Sequence, residues 1–402
     1  MIRKSVLPRN IVVVGSGPAA LMAADRLSAY PGLHITLIEK RKAPGRKILI
    51  AGSSGLNITN ELPVPEFSSH YRGSAPRDFW RGVLDAFSPQ DWLRYIDVTL
   101  GQETFLGTSG RYFVREMKAS KMLRAWLHHL AAQGVRLESS GEMVSFGSGE
   151  VQLADGRRFD ADAVVLALGG ASYEPEEDPL RWISSFESKG IRLEPFHSSN
   201  AGYELDWKPE FLKEAEGKPI KNCVFSTERG SKRGEVMVTR YGLEGTPVYT
   251  FGCVGDARID LLPEFSYDEI LSRCLSIKEN LAPLRRAKKK LPLSEAALAL
   301  LFHHAPRAML QDLGQFARLV KAVPLKLTAV RPLTEAISSA GGVHFSEVDS
   351  ETLMLKKVPG VFCAGEMLDW DAPTGGFLIQ GAVSTGVKAG EAAARFALER
   401  VT

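Results

Sequence analysis

Apolar and polar positions switch period from strand to helix and back before residue 40. Ile11 to Val14 is a continuous apolar run, the pattern of a strand buried on both faces. Pro18 to Tyr30 spaces its apolar residues at helical intervals, and His34 to Ile38 returns to a strand that ends on Glu39. Together they predict a β-α-β unit of about thirty residues. Further along, Met122, Leu123, Trp126, Leu127 and Leu130 place a helix over Lys118 to Gly134, and VQLADGRRF (Val151 to Phe159) alternates around an Asp155-Gly156 hairpin turn. DADAVVLALGGAS reads as another buried strand, ending in the paired glycines Gly169 and Gly170. GVFCA (Gly360 to Ala364) is a final strand, and Gly381 to Arg400 carries the small-residue pattern of a helix laid on a sheet.

Between these ends the texture changes. From about Arg192 to Leu262, the pieces KNCVFSTE, GEVMVT, TPVYTF and ARIDLL are short, β-like and separated by Gly, Pro and charged residues, which predicts a small antiparallel β domain. Residues 266–320 read as helices, including Ser294 to His304 and Arg307 to Val320, and Lys326 to Arg331 leads back. The expected plan is α/β: a discontinuous Rossmann-like nucleotide-binding domain from 1–191 and 336–402. A β-barrel-like insertion (192–264 plus about 321–335) and a helical insertion (265–320) interrupt it. The length of 402 residues exceeds one ordinary core and agrees with several domains.

Composition narrows the class without naming the chemistry. The chain is 44% hydrophobic and 24% charged, and no apolar run approaches the ~18 residues of a membrane span. The first apolar run stops at Gly15, too short for a secretory signal. Cys223, Cys253, Cys274 and Cys363 have no CxxC spacing, so a soluble protein of the reducing cytoplasm is expected, without a disulfide framework. The net charge of +3 is too small to imply a polyanionic partner.

The turn after the first strand carries the clearest chemistry. In Gly15-Ser16-Gly17-Pro18-Ala19-Ala20 the first glycine allows a tight turn, the second lets a diphosphate approach the backbone, and Ala20 stands where helix and strand pack closely. The helix N-terminus offers free N–H groups and partial positive charge. Glu39 ends the second strand, where a carboxylate accepts hydrogen bonds from an adenosine ribose and disfavours a 2′-phosphate. FAD rather than NAD is indicated by a second glycine-rich contact far along the chain, Ala364-Gly365-Glu366 through Asp369 to Gly375-Gly376, which a long dinucleotide needs. Gly169 and Gly170 fit a backbone crossing near that cofactor. No second GxGxxG exists, so NAD(P)H enters, if used, only as a transient reductant.

These motifs, with GRKILIAGSSGLNITN (Gly45 to Asn60), RGEVMVTRYGLEG (Arg233 to Gly245), SSAGGVHFSEVD (Ser338 to Asp349) and VPGVFCAGEMLDWDAPTGGFLIQGA (Val358 to Ala382), make the chain resemble a family of bacterial FAD-dependent flavoproteins. That family includes aminoacetone-oxidase-like enzymes, a bile-acid enone reductase and ribosomal RNA dihydrouridine synthases. The resemblance implies a discontinuous, glutathione-reductase-like FAD domain with inserted β and helical domains. It implies that Glu39 holds the adenosine ribose, that Arg46 and Lys47 serve the diphosphate and ribityl region, and that Lys40 is among the cofactor-binding residues. Gly365 and Asp369 fall at the ribityl and phosphate end, and Glu366, among the cofactor-binding residues, fixes the loop with Asp371 rather than moving protons. Gly376, Phe377, Leu378 and Ile379 present backbone at the pyrimidine edge of the flavin, where negative charge develops on reduction. The chain departs from the family at Ser53-Ser54-Gly55-Leu56-Asn57, where many relatives carry Gly-Gly-Gly-Arg-Cys-Asn. It departs again at Gly375-Gly376-Phe377-Leu378 (Gly-Gly-Tyr-Asn) and at Arg240-Tyr241-Gly242-Leu243-Glu244-Gly245-Thr246 (His-x-Gly-Leu-Ser-Gly-Pro). Mechanisms that need the missing thiol or guanidinium do not transfer.

The candidates for proton transfer on the substrate side are Asn57, Tyr241 and Glu244, each with a turn or packing role as the competing reading. His303-His304 point about 100° apart on a helix without a carboxylate at i+4, so no metal is expected. Arg285, Arg286, Lys288, Lys289 and Lys290 form one dense basic run, either a solvated face or a contact for RNA phosphates. The expected activity is an FAD-dependent oxidoreductase, a reductase rather than an oxidase, exchanging hydride between flavin N5 and an unidentified small organic substrate. The alternative is an RNA-acting flavoprotein, either a uridine-reducing rRNA modification enzyme or a flavin-containing RNA-binding factor.

Overall fold

Ile11, Val12 and Val13 are at most 2% exposed because strand β1 (Arg9–Val14) has a hydrogen-bonded neighbour on each side. Burying each such side chain contributes about 1.5–3 kcal/mol, which is why no polar residue interrupts the run. The computed structural model describes residues 8–52, 55–174 and 180–399, so Ser53 and Ser54 of the departing string lie outside the described residues. β1 pairs in parallel with β2 (Leu33–Glu39) and with Ala163–Leu166, Ile11 facing Ile35 and Ala163. The five-stranded sheet runs Val361–Cys363, Ala163–Leu166, β1, β2, Arg136–Ser139. Chain order reverses at β1, and ligands of open α/β sheets sit at that switch point beyond the strand C-termini.

Helix α1 (Pro18–Ser28) follows β1, with Ala20, Leu21, Ala23 and Ala24 fully buried. The C-terminal helix, Phe377–Glu399, begins four residues earlier than the small-residue pattern indicates. Its glycines serve α1 as well as the sheet: a Cβ on Gly386 would lie 2.4 Å from the Ala19 carbonyl oxygen, and one on Gly390 2.7 Å from that of Ala23. Two helices thus meet backbone to backbone over the sheet that holds the nucleotide turn.

The chain divides into two compact units, Met1–His197 with Ser338–Thr402, and Ser198–Ile337. The second unit has a six-stranded antiparallel sheet in the order Tyr203–Glu204, Gly242–Glu244, Gly230–Val238, Pro219–Thr227, Gly255–Asp260, Val323–Leu327. The helices Tyr267–Leu275, Pro283–Lys290, Glu295–His304 and Leu313–Lys321 share one hydrophobic cluster with that sheet. TPVYTF, β-like by composition, is instead the helix Thr246–Phe251, entered through Gly245 at φ 114° with Pro247 in its first turn. The stretch expected as one helix from Arg307 is a 3₁₀ turn, Arg307–Leu310, and then Leu313–Lys321, whose N-cap Asp312 accepts the Gln315 N–H at 2.8 Å.

Candidate functional site

At the β1–α1 turn, Gly15 has φ 116°, and a Cβ there would stand 2.1 Å from the Ala167 carbonyl oxygen, so only glycine fits. Gly17 is different: nothing lies within 4 Å of the place its Cβ would take. No side chain caps α1, and Pro18 has no N–H, so the Ala19 and Ala20 N–H groups face that opening without an intrahelical partner. A diphosphate is the ligand such a space and dipole accept.

Glu39 is only 9% exposed and held at both oxygens: the Arg41 N–H donates to one at 2.7 Å, and the Ser16 hydroxyl donates to the other. Ser16 also accepts the Gly45 N–H at 2.9 Å, tying Glu39 to the loop that starts helix α2 (Arg46–Ala51). Sequence reasoning missed Ser16, because no pattern marks a serine between two glycines as a linker. A carboxylate has about four acceptor sites, so about two remain for further donors.

Around the same cleft stand Lys40, Arg46, Lys47 and Gly169. Arg46 donates to the Tyr173 carbonyl at 2.6 Å, and Lys47 to that of Gly170 at 2.6 Å. Burial lowers the Lys47 pKa against the pull of Glu366 and Glu174. Burial raises that of Glu366, which accepts the Gly170 N–H. Lys47 and Glu366 thereby connect helix α2 to the C-terminal motif through Gly170. Trp182 lines the cleft with its indole N–H buried and without a hydrogen-bond partner among the described residues. An open glycine turn, a satisfied but not saturated acid and an unpaired indole donor fit an adenine dinucleotide.

The C-terminal motif is built by close approach. Gly365 (φ 76°) donates to Thr385 Oγ1 at 3.0 Å, and Asp369 leaves its carboxylate partly exposed without a partner among the described residues. A Cβ on Gly376 (φ 96°) would fall 2.4 Å from the Thr59 carbonyl carbon, in strand β3 (Asn57–Asn60). Around this contact Asn60 donates to the Gly375 carbonyl at 3.2 Å, Tyr71 to that of Phe377 at 2.7 Å, and Thr59 to the fully buried Gln380 at 2.8 Å. These bonds set Phe377, Leu378 and Ile379 as the first turn of a 23-residue helix, with partial positive charge at its end.

The proton-transfer candidates divide. Asn57 belongs to the first unit: in the amide orientation that pairs donor with acceptor, it donates to the Thr59 carbonyl at 3.2 Å and accepts the Gly376 N–H at 3.3 Å. Tyr241 and Glu244 come together in the second unit. The Tyr241 hydroxyl donates to Glu244, and Tyr249 donates to the other oxygen at 3.3 Å. The Arg331 guanidinium lies 4.3 Å from the Tyr241 ring centre and pairs with Glu204 at 2.5 Å and Glu335 at 2.5 Å. Burial first, and the Glu244 carboxylate second, push the Tyr241 pKa well up, so its proton stays on. Tyr249 and Arg331 were not legible, being placed by the helix Thr246–Phe251 and by a loop that follows the last strand.

The basic run does not present five free cations. Arg286 donates to the carbonyls of Leu281 (2.7 Å), Ile277 (2.7 Å), Glu279 (2.8 Å) and Cys274 (3.2 Å), and Lys289 pairs with Glu279 at 2.8 Å. An RNA contact through all five residues is therefore not supported. His303 binds Glu214 at 3.1 Å, and His304 packs on Trp207 and Phe211. Among the described residues no group of His, Cys, Asp or Glu could hold a metal ion, and no helix is long and apolar enough to cross a membrane.

A parallel sheet with an open glycine turn at its switch point, a buried acid at the end of the next strand and a distant helix N-terminus belong to an FAD-dependent oxidoreductase of Rossmann type. The HI0933-like protein Rossmann domain family matches residues 9–392, and the chain belongs to that family. It is similar to a 3-dehydro-bile acid delta(4,6)-reductase of Clostridium scindens, 27% identical over 96% of this chain and 99% of the relative. It is also similar to a ribosomal RNA dihydrouridine synthase of Escherichia coli, 24% identical over 94% of this chain and 96% of the relative. Among solved structures, a 3-ketosteroid delta1-dehydrogenase of Sterolibacterium denitrificans aligns with TM-score 0.52 and 13% identity over 98% of this chain and 100% of that one. A 3-ketosteroid-delta4-(5alpha)-dehydrogenase of Rhodococcus jostii aligns with 0.51 and 14% over 98% of both. At such identities the likeness is one of fold.

Proposed function

We propose that the chain is a flavin-dependent reductase of a carbon–carbon double bond conjugated to a carbonyl, in a small organic molecule, with NAD(P)H as its transient electron source. The carrying observation is the N-terminus of Phe377–Glu399, presented by a glycine loop that Asn57, Thr59, Asn60 and Tyr71 hold in place. The reductase name of the bile-acid relative supports the direction. FAD, when bound, supplies the hydride chemistry. Gly15, Gly17, Ala19 and Ala20 hold the diphosphate, and Glu39 the ribose. Lys40, Arg46, Lys47, Gly169 and Gly170 line the path between, and Gly365, Glu366 and Asp369 hold the ribityl end. The N–H groups of Phe377, Leu378 and Ile379 favour negative charge at the pyrimidine edge.

Hydride addition to one alkene carbon requires a proton at the other. Within the second unit Tyr241, whose proton burial and Glu244 hold in place, is the candidate donor, with Glu244 orienting its hydroxyl. Asn57 acts through Gly376, as a positioning residue. The test is an anaerobic titration of the yellow protein with NADH and NADPH, followed by an α,β-unsaturated ketone. Bleaching by one nucleotide and recovery of the oxidised spectrum with the enone is expected. A flavin that neither nucleotide bleaches, or that stays reduced with enones, overturns the reading.

A further inference from the structure

Proton donation by Tyr241 leaves Arg331 without a part, although the fold orients its side chain closely. The Arg331 N–H donates to the Gly202 carbonyl at 2.9 Å. Its guanidinium, in a side chain 19% exposed, donates to Glu204 at 2.5 Å and to both oxygens of Glu335, Nε at 2.9 Å and a terminal nitrogen at 2.5 Å. Carboxylates thus take its edges, and its face lies 4.3 Å over the centre of the Tyr241 ring. Hydrogen bonds from Glu335 first, and from Glu204, raise the Arg331 pKa above its usual value. Tyr241 is fixed as closely, its carbonyl accepting the Leu205 N–H at 2.9 Å and its hydroxyl donating to Glu244. Gly202 makes room for that pair: a Cβ there would stand 2.8 Å from the hydroxyl oxygen and 3.0 Å from Glu244 Cγ.

A phenol in this setting is a reluctant acid. Once its proton has gone, a negative oxygen faces the Glu244 carboxylate within hydrogen-bond distance, and like charges at that range oppose each other. Burial and Glu244 therefore both hold the proton back. A cation over the ring works the other way. Its attraction for a neutral phenol is modest and grows when the ring carries a full negative charge. It favours the state formed during proton transfer over the state before it, the condition for speeding the step.

We propose that Arg331 is a positioning residue for proton donation by Tyr241, its guanidinium stabilising the phenolate that forms as the proton leaves. The inference rests on the reading of Tyr241 as the donor to an enone. In that step the Tyr241 O–H bond breaks and a C–H bond forms at the carbon next to the carbonyl. The electron pair is the one left there by hydride addition at the other alkene carbon, the hydride deriving from NAD(P)H through FAD, and water returns the proton to Tyr241. The test follows reoxidation of the reduced, flavin-loaded full chain by an α,β-unsaturated ketone in stopped flow, in H2O and in D2O. Arg331→Met keeps a side chain over the ring without its charge. It should slow reoxidation on the order of tenfold, with a larger solvent isotope effect, while flavin content and the rate of reduction by NAD(P)H hold. Glu335→Gln relieves the guanidinium of one opposing charge and should speed the step about twofold, where a scaffold role predicts slowing. An Arg331→Met rate equal to wild type, slowing without a larger isotope effect, or a Glu335→Gln rate that falls overturns the inference and makes Arg331 a brace for its loop. If Arg331→Met does not fold, Glu335→Gln decides alone: a rate above wild type supports the inference, and a rate at or below it overturns it. A Tyr241→Phe variant reoxidised at the wild-type rate would fail the donor reading itself, a result distinct from any change at Arg331.

Discussion

The two units assemble their chemistry from different materials. In the first, main chain meets main chain: Gly15 against Ala167, Gly376 against Thr59 and Gly386 against Ala19, each with less than 2.5 Å for a Cβ. In the second, side chains converge from distant positions: Tyr241 and Glu244 from one strand and its lead-in, Tyr249 from the next helix, and Arg331 after the last strand. A site built from backbone fails by displacement, because an added methyl group has nowhere to go. One built from side chains fails by loss of a proton or charge while the backbone stays in place. The difference also decides what each tolerates, since packed interiors resist even one extra carbon.

The sharpest way to break this contrast is a pair of alanines in the first unit. Gly15→Ala should cost about 3 kcal/mol or more, from the unfavourable φ and the clash together, and abolish flavin retention with a large fall in melting temperature. Gly17→Ala, two residues on, should keep its melting temperature when flavin-free and lose only FAD affinity. Equal melting of the two variants would dissolve the distinction. In the second unit, Tyr241→Phe should leave flavin content and melting nearly unchanged and lower turnover by about 10²-fold or more. Stopped-flow separation of flavin reduction from substrate reduction locates the loss, which belongs in the latter.

A smaller effect tests whether the basic run is scaffold. Arg286→Ala should destabilise the chain by about 1–3 kcal/mol in urea, as four carbonyls lose their donor. Arg285→Ala should remain within about 0.5 kcal/mol of wild type. The smallest effect is a pH dependence. Burial lowers the His304 pKa to about 4 from 6.5, so its neutral form is favoured in the folded state. The stability this gives is present above pH 6.5 and is lost as pH falls toward 4, where the imidazole charges. Trp207, against which His304 packs at 4.9 Å between ring centres, reports that loss by fluorescence, and His304→Gln should flatten it.

What the sequence disclosed follows from the same division. The β-α-β unit, the glycine turn and Glu39 are legible because period and glycine placement are local signals, and the close approaches of Gly15 and Gly376 repeat that logic. Local signals fail where identity depends on a distant partner. Glu174 follows a glycine pair without any period, yet three cations from another segment meet it. Arg286 sits in a run of like residues and differs from them only by the four carbonyls it reaches. TPVYTF is too short for period to separate helix from strand, and Gly245 with Pro247 decides in favour of helix.

The contact of Gly386 and Gly390 with α1 has a consequence in time. The nucleotide turn leaves the ribosome before the helix that backs it, which follows some 360 residues later. At ordinary synthesis rates of about 5–20 residues per second, that interval is tens of seconds. Through it, α1 exposes the small-residue face that Phe377–Glu399 later covers, and a nascent chain has the glycine fingerprint without the wall behind it. A chain that ends between the glycine turn and residue 377 therefore carries the motif without the helix that packs against α1.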